Sequence, residues 1–342
     1  MPNTVRWALV GTSGWADHTF ARAITAGGGA LVGAAGSRKE GSASFAARHF
    51  APRVFSGIEE ICDCADVDAV WVASPSDHHH DDALLLLGAG KHVLVEKPLA
   101  TTVDDAEAMC SAAESSDRIT AIGFQHRFNP AHQHLAELVH HGHLGALTFA
   151  CLHMFIQAPE MPAPWRRSLE TSGGWAINDL GSHLLDLLNF IEGGFSTVGS
   201  ALGATRFGLN VDDLAVVLLQ RGPAAAVLEV STALPDRESR VALFGQASHV
   251  VVENSWPGGG RVRFGDDVRN FAAADTYAAQ VRAFNDAVVS GDAYAGAHWQ
   301  DGLAVVHQVA DAYRIAARDG RDVGIVSRPN GAEDPVSATL DG

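Results

Sequence analysis

Arg6-Trp7-Ala8-Leu9-Val10-Gly11-Thr12-Ser13-Gly14-Trp15-Ala16 decides the fold. A short apolar run enters a glycine-containing loop, and a helical pattern follows over residues 16–26. Strand, G-x-G-x-x-G/A loop and helix are the parts of a dinucleotide-binding turn. The first glycine makes the tight bend, the middle one lets backbone approach a pyrophosphate, and a small third residue lets helix pack on strand. Gly11 and Ala16 fill the outer positions. Ser13 replaces the middle glycine, Gly14 keeps the loop flexible, and Trp15 leads into the helix, whose N-terminus would face phosphate.

Outward from this turn, residues 5–123 alternate short apolar runs (6–10, 31–35, 69–73, 92–95, 120–123) with helical stretches (16–26, 41–50, 58–65, 79–89, 103–115). Continuous apolar strands between helices predict a doubly wound parallel sheet with right-handed crossovers. The second strand ends at Ser37-Arg38-Lys39, where an NAD site usually carries an acid for the ribose 2′-hydroxyl. Ser37 and Arg38 suit a 2′-phosphate instead, which favours NADP over NAD.

Past residue 123 the pattern changes. A helix is expected at 130–141, a long strand at 147–156, and a proline-rich loop at 158–164 leading to Trp165-Arg166. A helix at 175–190 follows, then strands at 198–205, 214–220, 224–232, 240–244, 250–253 and 262–264, read as an antiparallel meander with turns that include Leu234-Pro235-Asp236. Helices at 277–289 and 300–317 close the chain, and the tail from 328 reads as disordered. The implied division is 1–123, a nucleotide-binding domain; 124–327, an α+β substrate and oligomerisation domain; and 328–342, the tail.

Three groups carry chemistry. Glu96-Lys97-Pro98 ends an apolar strand and presents a lysine where open α/β sheets bind ligands; there it would hydrogen-bond an alcohol or carbonyl oxygen, with Glu96 beside it to set its pKa. Asp179 and His183, spaced i, i+4, fall on one helix face, with Asp186 on a neighbouring edge. Histidine exchanges protons near neutral pH, and the aspartate either orients it or binds a substrate hydroxyl. Ser74-Pro75 and His79 follow the third strand along the cofactor path, Gly123–Phe128 with Arg127 lies at the domain junction, and Trp165-Arg166 would cover the cofactor. His132, His134, His140, His141 and His143 read as surface. No metal site is expected.

The net charge of −16 argues against nucleic acid or an anionic membrane as partner. No uncharged apolar run reaches membrane-spanning length, the start carries no leader pattern, and four cysteines read as reduced thiols, so a soluble cytoplasmic protein is expected.

Together Gly11–Ala16, Ser74-Pro75-x-x-x-His79, Glu96-Lys97-Pro98, Gly123-x-x-x-Arg127-Phe128, Trp165-Arg166 and Gly173-Gly174-x-x-x-x-Asp179-x-Gly-x-His183-x-x-Asp186 resemble the glucose-fructose oxidoreductase/inositol dehydrogenase/rhizopine-catabolism (Gfo/Idh/MocA) family over residues 5–325. The resemblance implies an N-terminal Rossmann domain, a C-terminal α+β domain with a large open, mostly antiparallel sheet, and a homodimer or homotetramer built through that sheet. It implies an NAD(P)-dependent dehydrogenase or reductase acting on a sugar, cyclitol or related polyol, with Lys97 as active-site lysine, His183 as acid/base and Asp179 as its substrate-binding partner. Gly11, Ser13, Gly14, Trp15, Ala16, Ser37, Arg38, Ser74, Pro75, His79, Glu96, Lys97, Arg127, Trp165 and Arg166 make up the expected cofactor site. The competing readings are a dinucleotide-binding regulator without catalysis, redox-assisted glycoside cleavage, and imine reduction.

Overall fold

The computed structural model describes residues 4–318 other than Ser13, Pro159, Gly208 and Pro257, together with the short strand Gly324–Ile325. Ser13 and the tail from 328 therefore lie outside the described residues.

The first sheet holds β1 (Arg6–Val10), β2 (Ala30–Ala35), β3 (Arg53–Val54), β4 (Ala69–Val72), β5 (His92–Val95) and β6 (Thr120–Ile122). All pair in parallel, in the order β3-β2-β1-β4-β5-β6. This is a dinucleotide-type sheet, whose order reverses beside β1 and places ligands at the carboxyl ends of β1 and β4. The edge strand β3 was not expected from the sequence, because two residues show no periodicity. Helices α1 (Ala21–Ala26), α2 (Lys39–Arg48), α3 (Ile58–Asp63), α4 (His79–Gly88) and α5 (Val103–Glu114) link the strands. The central strands are buried on both faces, which is why they read as unbroken apolar runs.

The second sheet holds β7 (Leu147–Gln157), β8 (Ser196–Ala204), β9 (Leu214–Arg221), β10 (Ala224–Ser231), β11 (Ala233–Gly245), β12 (His249–Glu253), β13 (Gly260–Phe264), β14 (Asp267–Phe271) and β15 (Gly324–Ile325). Their order is β14-β13-β12-β11-β7-β10-β9-β8-β15. The expected meander needs correction: β7 inserts between β10 and β11, parallel to the first and antiparallel to the second. Strand order is a long-range choice that local alternation does not encode. Leu234-Pro235-Asp236 is not a turn but part of β11. The β7 register slips between Ala233 and Glu238, so Pro235 sits where no ladder amide is required.

Helices α6 (Pro130–His140), α7 (Leu169–Ser172), α8 (Ser182–Glu192), α9 (Thr276–Ser290) and α10 (Trp299–Arg318) complete the fold. The Asn129 side chain caps α6 by accepting from Ala131 N, with Pro130 at its first turn. Late in the chain, α9 returns to the first sheet. The Trp7 Nε1–H donates to Asn285 Oδ1 (2.9 Å), Asn285 Nδ2 donates to Gly27 O (3.1 Å), and the Trp7 ring packs on Trp71 and Phe284. Trp299 at the start of α10 donates to Ala121 O (3.0 Å). Residues far apart in sequence thus tie the closing helices α9 and α10 to the first sheet.

Candidate active site

The cleft begins at the β1 turn. Gly11 has φ +95°, and a Cβ there would come 2.3 Å from Ala73 O, so only glycine lets the loop lie against the end of β4. A Cβ on Gly36 would meet Thr12 Oγ1 at 2.3 Å, which brings the β1 and β2 ends together. The helix after Gly14 opens with a wide π-type turn, Ala16–Phe20, before continuing as α1. Trp15 is half exposed beside it. Ser37 and Arg38 are exposed at the end of β2. These residues fit a dinucleotide: a close-approach glycine, a helix N-terminus for phosphate and an open cationic end for the ribose.

On the neighbouring strand the Ser74 hydroxyl donates to Asp82 Oδ2 (2.6 Å), with Pro75 next to it. His79, singled out with them, is buried with Nδ1 2.8 Å from Pro98 O and Nε2 3.1 Å from Ser74 O. Both ring nitrogens face backbone carbonyls, so this residue braces two cleft loops against each other. Burial lowers its pKa in spite of those carbonyls.

Lys97 follows β5, through a cis Lys97–Pro98 bond. Its Nζ donates to Asp179 Oδ1 (3.3 Å), Asp179 O (3.1 Å) and Asn178 O (3.3 Å). Arg166 Nε lies 3.1 Å from the other carboxylate oxygen of Asp179, and its guanidinium stacks on the Trp165 ring at 4.1 Å. Burial pushes the Asp179 pKa up, but Arg166 and Lys97 outweigh it and hold the carboxylate below its usual range. Glu96 does not pair with Lys97 as expected. Its Oε1 accepts from Trp71 Nε1 (3.1 Å), and its carboxylate occupies the space a Cβ on Gly123 would need. Burial raises Glu96 to about 7, against the pull of Lys97 and Trp71.

The expected Asp179–His183 face is also altered. Residues Ile177–Gly181 form a wide π-type turn, in which the Ser182 N–H reaches back five residues to Ile177 O. The i, i+4 relation of a regular helix does not apply across it, and Asp179 bonds Lys97 and Arg166 rather than His183. The His183 ring is buried 4.7 Å from the His126 ring, which stacks on His132 (5.5 Å) and Trp256 (5.4 Å). Burial, then His126 and Lys97, lower His183 well below its ordinary value. His126 is lowered to about 3 and His132 to about 4 by burial. The cluster is therefore neutral at physiological pH. His132, read as surface, is buried because α6 turns it inward to donate from Nδ1 to His126 O.

Arg127 and Asp186 were placed at the cleft and on a helix edge. Both are buried and bind each other: Arg127 Nε and Nη2 donate to Asp186 at 2.6, 3.0 and 3.2 Å, with Asp301 2.9 Å away and Phe190 under the guanidinium. The donors expected on the cofactor are thus committed to α8 and α10. Sequence reasoning missed Asp212. This fully buried carboxylate accepts from Trp175 N (2.8 Å), Ile177 N (2.7 Å) and the Tyr313 hydroxyl. The doublet Asp212-Asp213 ahead of an apolar strand was the available signal. Among the described residues no cluster suited to a metal ion was found, and no helix is long and apolar enough to cross a membrane.

The six-stranded parallel sheet in the order β3-β2-β1-β4-β5-β6 places the chain in the class of Rossmann-type dinucleotide-binding folds. A family model described as "Oxidoreductase family, NAD-binding Rossmann fold" matches residues 5–124, and one for the GFO/IDH/MocA C-terminal domain matches residues 132–251. The chain belongs to the Gfo/Idh/MocA family. It is 32% identical over 186 residues to 1,5-anhydro-D-fructose reductase of Ensifer adhaerens, covering 54% of this chain and 56% of that protein. It is 30% identical over 145 residues to levoglucosan dehydrogenase of Pseudarthrobacter phenanthrenivorans, covering 42% and 37%. The match thus spans about half or less of these relatives' lengths. A solved levoglucosan dehydrogenase in complex with NADH shares the fold, with a TM-score of 0.84 at 20% identity over 93% of this chain and 98% of that one.

Proposed function

We propose that this protein is an NAD(P)-dependent oxidoreductase that transfers a hydride between nicotinamide and a hydroxyl- or keto-bearing carbon of a sugar, cyclitol or related polyol. The observation that carries the reading is the convergence of Lys97 and Arg166 on Asp179, with neutral His183 beside them. Family membership and relatives named for carbohydrate substrates agree with it.

Gly11, Gly14, Trp15 and Ala16 would hold the pyrophosphate, Ser37 and Arg38 the ribose end, and Ser74, Pro75, Glu96, Lys97, Trp165 and Arg166 the path to the nicotinamide. When bound, that ring supplies the carbon that accepts or gives the hydride. His183 takes the hydroxyl proton in oxidation and returns it in reduction; a neutral imidazole starts in the state the first step needs. Lys97, whose three N–H groups rest on the turn, exchanges one of these bonds for a hydrogen bond to the reacting oxygen and stabilises its developing charge. Asp179 accepts from a neighbouring hydroxyl and is aimed by Arg166. His79 and Arg127 act on the site only by bracing its walls.

NADP is the proposed preference, supported by exposed Ser37 and Arg38 with no acid at that position. Titration with NADPH and NADH, followed by cofactor fluorescence, tests it. Tighter NADPH binding that Arg38→Ala abolishes is expected, and equal binding that ignores Arg38→Ala overturns the preference. A homodimer or homotetramer through the second sheet is supported by its outward face, where Phe149, Phe244 and Leu218 stand exposed. Cytoplasmic residence is supported by four free cysteines.

A further inference from the structure

The active-site lysine rests on backbone as well as on side chains. Its ammonium takes the carbonyls of Asn178 and Asp179, both in the wide turn Ile177–Gly181. Such turns are rare and occur frequently at functional sites. The turn's own N-cap, Ala176, offers no side-chain bond. Asp212, just ahead of β9, supplies the hold. Its Oδ1 accepts from Trp175 N (2.8 Å), its Oδ2 from Ile177 N (2.7 Å), and its main-chain carbonyl from Ala176 N (3.0 Å). One residue thus satisfies three successive amides that a helix start leaves open. Tyr313 of α10 donates to Asp212 Oδ1 and closes the space over Gly174, where a Cβ would lie 2.6 Å from the phenol oxygen.

We infer that Asp212, fixed by Tyr313, is the positioning residue of the active-site lysine: it sets the wide turn whose carbonyls seat Lys97 and whose carboxylate, Asp179, faces the substrate. The inference rests on the proposed role of Lys97 at the reacting oxygen, but its test requires neither substrate nor cofactor. The chain has three lysines, Lys39, Lys91 and Lys97. Lys39 is exposed, and buried Lys91 donates to Cys64 O (2.7 Å) and Val67 O (3.0 Å), so each serves as a control. In full-length protein labelled with 13Cε/15Nζ-lysine, Tyr313→Phe and Asp212→Asn are expected to shift the Lys97 resonance. They should also speed its ammonium hydrogen exchange by about fivefold or more, with Lys91 and Lys39 unmoved. Tyr313→Phe, the milder change, keeps the test valid if Asp212→Asn does not fold. A Lys97 signal unchanged in the folded variants, or a Lys91 signal that moves with it, overturns the inference; the latter marks a general loosening.

Kinetics give an independent arm. Asp212→Asn should lower kcat about 10- to 100-fold while cofactor affinity and KM hold. In a Lys97→Gln background it should cost less than about twofold, because both changes remove one function. Additive losses contradict the inference. A wild-type enzyme that turns over no polyol sinks the proposed function, while the lysine resonances still decide the role of Asp212.

Discussion

Replacing Arg127 with methionine removes the guanidinium while keeping apolar bulk over Phe190. Asp186, 1% exposed, then loses a partner that contacts both its oxygens at 2.6 to 3.2 Å. Removing one member of a buried pair costs about 3–5 kcal/mol, because the other charge stays desolvated and unpaired. An exposed pair such as Arg269–Asp267 is worth only about 0–1 kcal/mol. The loss is large against a total stability of roughly 5–15 kcal/mol. It also depends on pH. Burial already raises Asp186 to about 6 against the pull of Arg127, and removing that pull raises it further. A carboxyl raised in the folded state binds more protons folded than unfolded, so its stability contribution grows as pH falls through the folded pKa. Arg127→Met is therefore expected to be weakest near about pH 8 and to recover up to ~1.4 kcal/mol per unit, relative to wild type, as pH drops toward about 6, below which Asp186 protonates in both proteins and the difference levels off. Urea unfolding of both proteins across that range measures it, with cofactor titration in parallel. A destabilisation below about 1 kcal/mol, or one that does not vary with pH, refutes the buried-pair account. Loss of cofactor binding by the folded variant would return Arg127 to the cofactor site.

Lys97→Ala and His183→Ala should each lower turnover about 10²- to 10⁴-fold while still quenching with cofactor; normal rates in both would sink the assignment. Gly11→Ala should weaken cofactor binding and cost about 1–3 kcal/mol, since its Cβ meets Ala73 O and its φ is strained; wild-type affinity would mean the loop yields without consequence. An ionisation near pH 7 in kcat/KM is assigned to Glu96, raised by burial, and should vanish in Glu96→Gln. The remaining acid limb should lie well below 6.5, since a His183 with a depressed pKa keeps its neutral, proton-accepting form as pH falls to that lower value. A limb at 6.5 that survives Glu96→Gln would contradict the buried histidine.

Local pattern carried much of the architecture. The β1 and β5 boundaries read from apolar runs coincide with the strands, because sheets covered on both faces select unbroken Val, Leu and Trp. The long strand at β7 and the two closing helices were legible for the same kind of reason, a burial pattern written in the period of the element. The nucleotide loop was legible because its glycine answers a local demand, a positive φ at a close approach. Lys97, Asp179 and His183 stood out as reactive groups at strand and helix ends.

What the sequence by itself determined is therefore most of the longer elements, the parallel first sheet and the reactive residue types at strand and helix ends, all of which follow from neighbours within a few residues; the short strands β3 and β14 and the helix α7 carried no such signal. Only the tertiary structure decided the partners. The insertion of β7 between β10 and β11, the return of α9 to Trp7, the burial of Arg127 on Asp186 and of His132 on His126, and the hold of Asp212 on the wide turn each join residues distant in the chain. An ionisable side chain on a helix reads the same whether it meets water or an opposite charge, and the packing of the other elements makes that choice.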